Sequence, residues 1–105
     1  MLESAPKEEV NSLEAWQREL DAALKVMQKF KSMNHADIFI QLAGYTARAS
    51  SMRSMVVRMP ENRRLVAFRT KELDPFIEEC ERQFKYWSRA FSVQALDWEI
   101  SKGAV

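Results

Sequence analysis

Between Ile38 and Met59, large apolar residues recur at Ile38, Leu42, Tyr45, Ala49, Met52, Val56 and Met59. Intervals of four and three place them all on one stripe of an α-helix. The opposite face has its own order: Ala36, Ile40, Ala43, Ala47, Ser50 or Ser51, and Ser54. The only charges between Ile38 and Met59 are Arg48, Arg53 and Arg58. A surface helix normally carries a broad polar face, and this one lacks it. The expectation is a central helix, covered on its bulky side and on its narrow side alike, with Gly44 marking close helix packing. On that reading Ala47→Leu would overpack the molecule.

Two glycines and three prolines in 105 residues leave few places for turns, so the remaining chain also reads as long helices. Asn11 followed by Glu14 has the form of a capping box, opening a helix over 11–33. Its stripe is Leu13, Trp16, Leu20, Ala23, Leu24, Met27 and Phe30. Residues 1–10 offer little to bury and read as a flexible tail. Asn34 is the natural cap of the second helix, over 35–59. Pro60 ends it and suits the first turn of a short helix over about 61–70. Asp74-Pro75 repeats the cap-then-proline signal, opening a last helix over 75–101. Its main stripe is Ile77, Cys80, Phe84, Trp87, Phe91, Ala95 and Trp98, with Trp87 and Phe91 assigned to the core. The fold class expected is all-α: an antiparallel helical bundle of three long helices plus one short helix, in a single domain over 11–105.

Composition narrows the function classes. With 47% hydrophobic and 30% charged residues the chain is globular rather than disordered. The net charge of +1 demands neither nucleic acid nor membrane. No basic flank and apolar core of a signal peptide occurs at the start, and no apolar run is long enough to span a bilayer. A single cysteine, Cys80, with six methionines fits a reducing cytoplasm. His35 is the only histidine, expected as a cap or a solvated turn residue, so no zinc-ligand pair exists and no metal or other cofactor is expected. Cys80 lies on an apolar stripe and reads as a small buried hydrophobe. No glycine-rich phosphate loop or catalytic constellation is present, so an enzyme is not expected.

Charge is nevertheless unevenly placed. Arg48, Arg53, Arg58, Arg63, Arg64, Arg69 and Lys71 stand in one segment against a single acid, Glu61. Guanidinium groups match phosphate oxygens, so these seven are the candidate nucleic-acid contacts. The competing reading pairs them with Glu72, Asp74, Glu78, Glu79 and Glu81 of the next helix. A second stripe on the last helix, Tyr86, Val93, Leu96 and Ile100, together with Arg89, is the candidate partner interface, because a second apolar side exceeds what a monomer is expected to cover and Tyr and Arg are enriched at interfaces. The expected function is a non-enzymatic subunit of a larger assembly, contacting nucleic-acid backbone through the basic segment and a protein partner, or a second copy, through the strip. A protein adaptor, chaperone or inhibitor without nucleic-acid contact is the alternative.

Overall fold

The computed structural model describes the backbone of residues 4–103 and the side chains of 13–92. It is all-α, and among the described residues there is no strand. Helix α1 spans Ser4–Met27 and is followed by a 3-10 turn, Phe30–Ser32. Helix α2 spans His35–Val57, α3 Arg63–Phe68 and α4 Asp74–Gly103. Between α3 and α4 the chain forms a π turn, Arg69–Leu73, so everything from Arg63 to Gly103 is one continuous helical run.

Two caps work as the residue types dictate. The Asn34 side chain accepts from the Asp37 amide at 2.9 Å and its Nδ2 donates to the Asp37 carboxylate at 2.8 Å. Asn62 Oδ1 accepts from the Leu65 amide at 3.1 Å and starts α3, each bond satisfying a first-turn donor that has no helical partner. Asn62, rather than Pro60, therefore opens the short helix, and α2 stops at Val57, two residues before the expected Met59. Helix α1 reaches back to Ser4, so Asn11 lies inside it rather than at its start, and the side chains of 1–12, the expected tail and the Asn11 cap included, lie outside the described residues. At its other end α1 closes at Met27, and Phe30 belongs to the 3-10 turn.

Helix α4 begins at Asp74, where the Asp74-Pro75 signal places it, but a π turn joins it to α3 without a break. Proline lacks an N–H, and its ring collides with a carbonyl four residues earlier in a regular helix. Here the Asp74 amide donates to Arg69 O, five residues back, and the widened turn carries the chain past Pro75. Asp74 keeps helical angles (φ −62°, ψ −44°) despite preceding proline. The extra residue also rotates the helix by one position. Leu65 and Phe68 before the turn thus share a face with Leu73, Phe76, Ile77 and Cys80 after it, and all six are buried.

That face closes on α1 and α2. The core joins Trp16, Leu20, Ala23 and Met27 of α1, Phe30, and Ile38, Leu42, Ala49, Met52 and Val56 of α2. The bulky stripe of α2 is therefore core, except that Tyr45 is half-buried and Met59, beyond the helix end, is exposed. The narrow face is not covered. Ala36, Ile40, Ala43, Ala47, Ser51 and Ser54 are all exposed, and Ile40 is 68% exposed. α2 packs on one side only, which overturns the expectation of a helix hemmed in on both. The alanines and serines bring too little apolar area to require a cover.

Gly44 shows the same thing: nothing lies within 4 Å of where its Cβ would stand. Close packing does not explain this glycine. Gly44→Ala is expected to raise stability by about 0.5–1 kcal/mol, since it removes the entropic cost of an exposed mid-helix glycine. Chemical denaturation read by circular dichroism checks it.

The molecule is elongated. Its radius of gyration is 18.5 Å, with extents of 72 × 22 × 18 Å, against about 13 Å for a compact chain of this length. It exposes 7961 Å², where the size scaling gives roughly 6,100 Å². Helix α4 alone is about 45 Å long, and it continues well past Phe91, which meets His35 at the start of α2.

Candidate binding surfaces

The basic segment is divided by its partners. Arg48 reaches α1 as a two-pronged pair: Nε donates to Glu19 Oε2 at 2.8 Å and Nη2 to Oε1 at 3.0 Å. That hydrogen bond holds the Glu19 carboxyl below its usual range and pushes the Arg48 guanidinium up. Arg48 is thereby committed within the fold, not to an acid of the last helix. Arg69 lies 3.7 Å from Asp74 across the π turn. Of the pairings expected between the basic segment and the 72–81 acids, this is the one formed among the described residues; Glu79 instead pairs with Arg82 on its own helix at 3.3 Å.

The other five bases, Arg53, Arg58, Arg63, Arg64 and Lys71, are exposed and make no ion pair among the described residues. Local structure decides where four of them stand. Arg58 closes α2, Arg63 and Arg64 form the first turn of α3, and Lys71 sits in the π turn, so all belong to the connection between α2 and α4. Arg63 and Lys71 border an open depression of about 410 Å³ with Pro60, Val66, Ala67 and Thr70. Exposed Met55, Val57, Met59 and Val66 occur in the same stretch, giving that region cationic and apolar character together.

The expected partner strip is half described. Tyr86 is 59% exposed and stands edge-on to Trp87 at 4.9 Å. With Met27, Gln28, Lys31 and Arg82 it lines a cleft of about 530 Å³ between α1 and α4. Arg89 is exposed, while the side chains of Val93, Leu96 and Ile100 lie outside the described residues. Trp87 behaves as a core-side residue: it is half-buried, donates Nε1 to Gln83 Oε1 at 3.0 Å, and meets Phe30 edge-on at 6.3 Å. Phe91 does not join the core; it is 49% exposed and packs edge-on to His35 and Phe39. Phe84, on the same expected stripe, is 54% exposed. Phe91 stands beside the start of α2, and Phe84 lies at the outer edge of the α2–α4 seam. His35 is half-buried between Trp87 and Phe91 rather than solvated in the turn.

A third surface was not legible in the sequence. Along the α2–α4 seam an open groove of about 520 Å³ is lined by Leu42, Ala43, Thr46 and Ala47 on one side and Cys80, Glu81, Phe84 and Lys85 on the other. Phe39 braces Phe84 edge-on at 5.7 Å. Cys80 at its base is 1% exposed, and burial pushes its thiol up to about 11, against a smaller opposing effect of the Thr46 hydroxyl. A thiol so placed is protonated at neutral pH and is a packing group, as expected for this residue. The only hint in the sequence was the spacing of Ala43 and Ala47, which equally suits a packed or an open face.

Among the described residues no three His, Cys, Asp or Glu side chains converge as a metal site, and no buried side-chain polar atom lacks a hydrogen-bond partner. No helix is long and apolar enough to cross a membrane. Comparison with protein-family models, with curated proteins and with solved structures finds no match to this chain.

Proposed function

We propose that the protein is a non-enzymatic helical subunit that holds a polyanionic partner, nucleic-acid backbone, at the connection between α2 and α4. Its long helices are read as an antiparallel bundle: Phe39 meets Phe84 and Phe91 whereas Tyr45 meets Phe76, so α2 and α4 run in opposite directions. The observation that carries the functional reading is that Arg53, Arg58, Arg63, Arg64 and Lys71 remain exposed and without ion pairs among the described residues. Four of these unpaired cations stand on the connecting segment and Arg53 about one turn before it on α2, and they gain from phosphate what they do not gain within the fold. Arg48 and Arg69 drop from the contact set because acids already hold them. The contacts proposed are to phosphate oxygens, which carry no sequence information, so binding is expected to be independent of sequence. A reducing, cytoplasmic setting belongs to the same proposal.

Fluorescence anisotropy with a labelled oligonucleotide tests it. Binding is expected at about 50 mM salt, and each lost phosphate contact should flatten the log–log salt slope by about 0.9 on duplex or 0.7 on single strands. Arg63→Ala and Arg64→Ala should each do so, whereas Arg48→Ala should leave the slope unchanged. No binding to either form at that salt rejects the reading.

The adaptor reading is favoured by a different observation, the exposure of Tyr86 beside the α1–α4 cleft. On that reading Tyr86→Ala weakens partner binding and the arginine substitutions do not.

A further inference from the structure

We infer that the α2–α4 groove is the interface with a second copy of this chain, joined about a two-fold axis passing near Phe84. The inference concerns a face that the nucleic-acid reading does not use and stands without it. Phe84 leaves 54% of its surface in solvent at the edge of a groove of about 520 Å³, an opening large enough for a second aromatic ring. Ala43 and Ala47 stand one turn apart on the groove's α2 side, beside Leu42 and Thr46, and no bulk blocks entry over the two alanines. In a two-fold contact each copy supplies the same patch, so one copy's Phe84 fills the other's groove and the reverse. A large exposed aromatic entering a pocket is the kind of group that dominates an interface.

Charge selects the occupant. Glu81 and Lys85 border the groove on α4, one turn apart on either side of the Phe84 position, and neither forms an ion pair among the described residues. An axis between them runs the two α4 helices in opposite directions. Glu81 then meets Lys85 of the second copy, and Lys85 meets the second copy's Glu81. A parallel arrangement would set like charges against each other, which is unfavourable across an interface. The pattern acid–aromatic–base is thus complementary to itself when reversed, and a second copy satisfies it with no further partner.

Sedimentation equilibrium on the full chain, without nucleic acid, tests this through paired charge reversals. The wild type should show a concentration-dependent rise to twice the monomer mass. Glu81→Lys and Lys85→Glu should each weaken dimerisation roughly tenfold, since each variant faces itself with like charges. An equimolar mixture of the two variants should restore the dimer, because the pairing between them is again opposite in sign. A change confined to each variant's own fold would give no such recovery. Phe84→Ser should also abolish the dimer, with unchanged circular dichroism because the ring is outside the core. A wild type monomeric to about 1 mM, single reversals that stay dimeric, or a mixture that stays monomeric each overturns the inference. None of these substitutions touches Arg53, Arg58, Arg63, Arg64 or Lys71. Failure here therefore leaves the oligonucleotide salt slope as measured, and failure there leaves the dimer.

Discussion

Phe30→Ala is expected to lower the unfolding free energy by about 3–5 kcal/mol. The ring is fully buried although it belongs to a three-residue 3-10 turn rather than to a long helix. It meets Trp87 of α4 edge-on and joins the hydrophobic cluster shared by all the long helices. Its removal leaves a cavity at a junction, where the two flanking helix ends cannot both collapse inward. Leu42→Ala, at 1% exposure on the inner stripe of α2, should cost about 2–5 kcal/mol for the same reason. Single domains have only about 5–15 kcal/mol in total, and this one exposes more surface than its length requires. Phe84→Ala is the control: it removes the same ring from an exposed site and should cost under about 1 kcal/mol. Urea unfolding followed by circular dichroism at low protein concentration measures all three. Equal losses for Phe30 and Phe84 would contradict the placement of the core.

Why some elements were legible and others were not follows from what each signal constrains. Asn34 caps α2 through a hydrogen bond to a residue three along, so both partners lie within four positions of sequence. The inner stripe of α2 was readable because Ile38, Leu42, Ala49, Met52 and Val56 hold one helical period without interruption. The run from Leu65 to Cys80 breaks that period. Five residues separate Phe68 from Leu73, which a regular α-helix turns away from the core, and only a π turn returns both to one face. Asp74-Pro75 does mark the start of α4, but the π turn that joins it to α3 without a break has no local sign in the residue types. Arg48 illustrates the limit for function. Its partner Glu19 lies 29 positions away with no local sign of the pairing, so a committed base and the unpaired Arg53 looked alike. The narrow face of α2 was ambiguous in principle, because alanine and serine are tolerated both in a close contact and in water.

That ambiguity is resolved by adding the same three carbons at two positions. Ala49 is 1% exposed within the core stripe, and Ala49→Leu should destabilise the protein by about 1–3 kcal/mol by overpacking the hydrophobic cluster it belongs to. Ala47, two residues before it and on the other side of the helix, is exposed. Ala47→Leu should change stability by less than about 0.5 kcal/mol, since leucine is nearly as good a helix former and nothing presses on that side. Leucine there also narrows the α2–α4 groove that Ala47 lines. At high concentration the same variant should therefore lose dimer mass while melting like the wild type. Two positions with one chemical change thus separate the surface that holds the monomer together from the surface that a second copy uses. A large loss of stability at Ala47 in dilute solution would mean that another helix already covers the narrow face, and the open side of α2 would have to be given up.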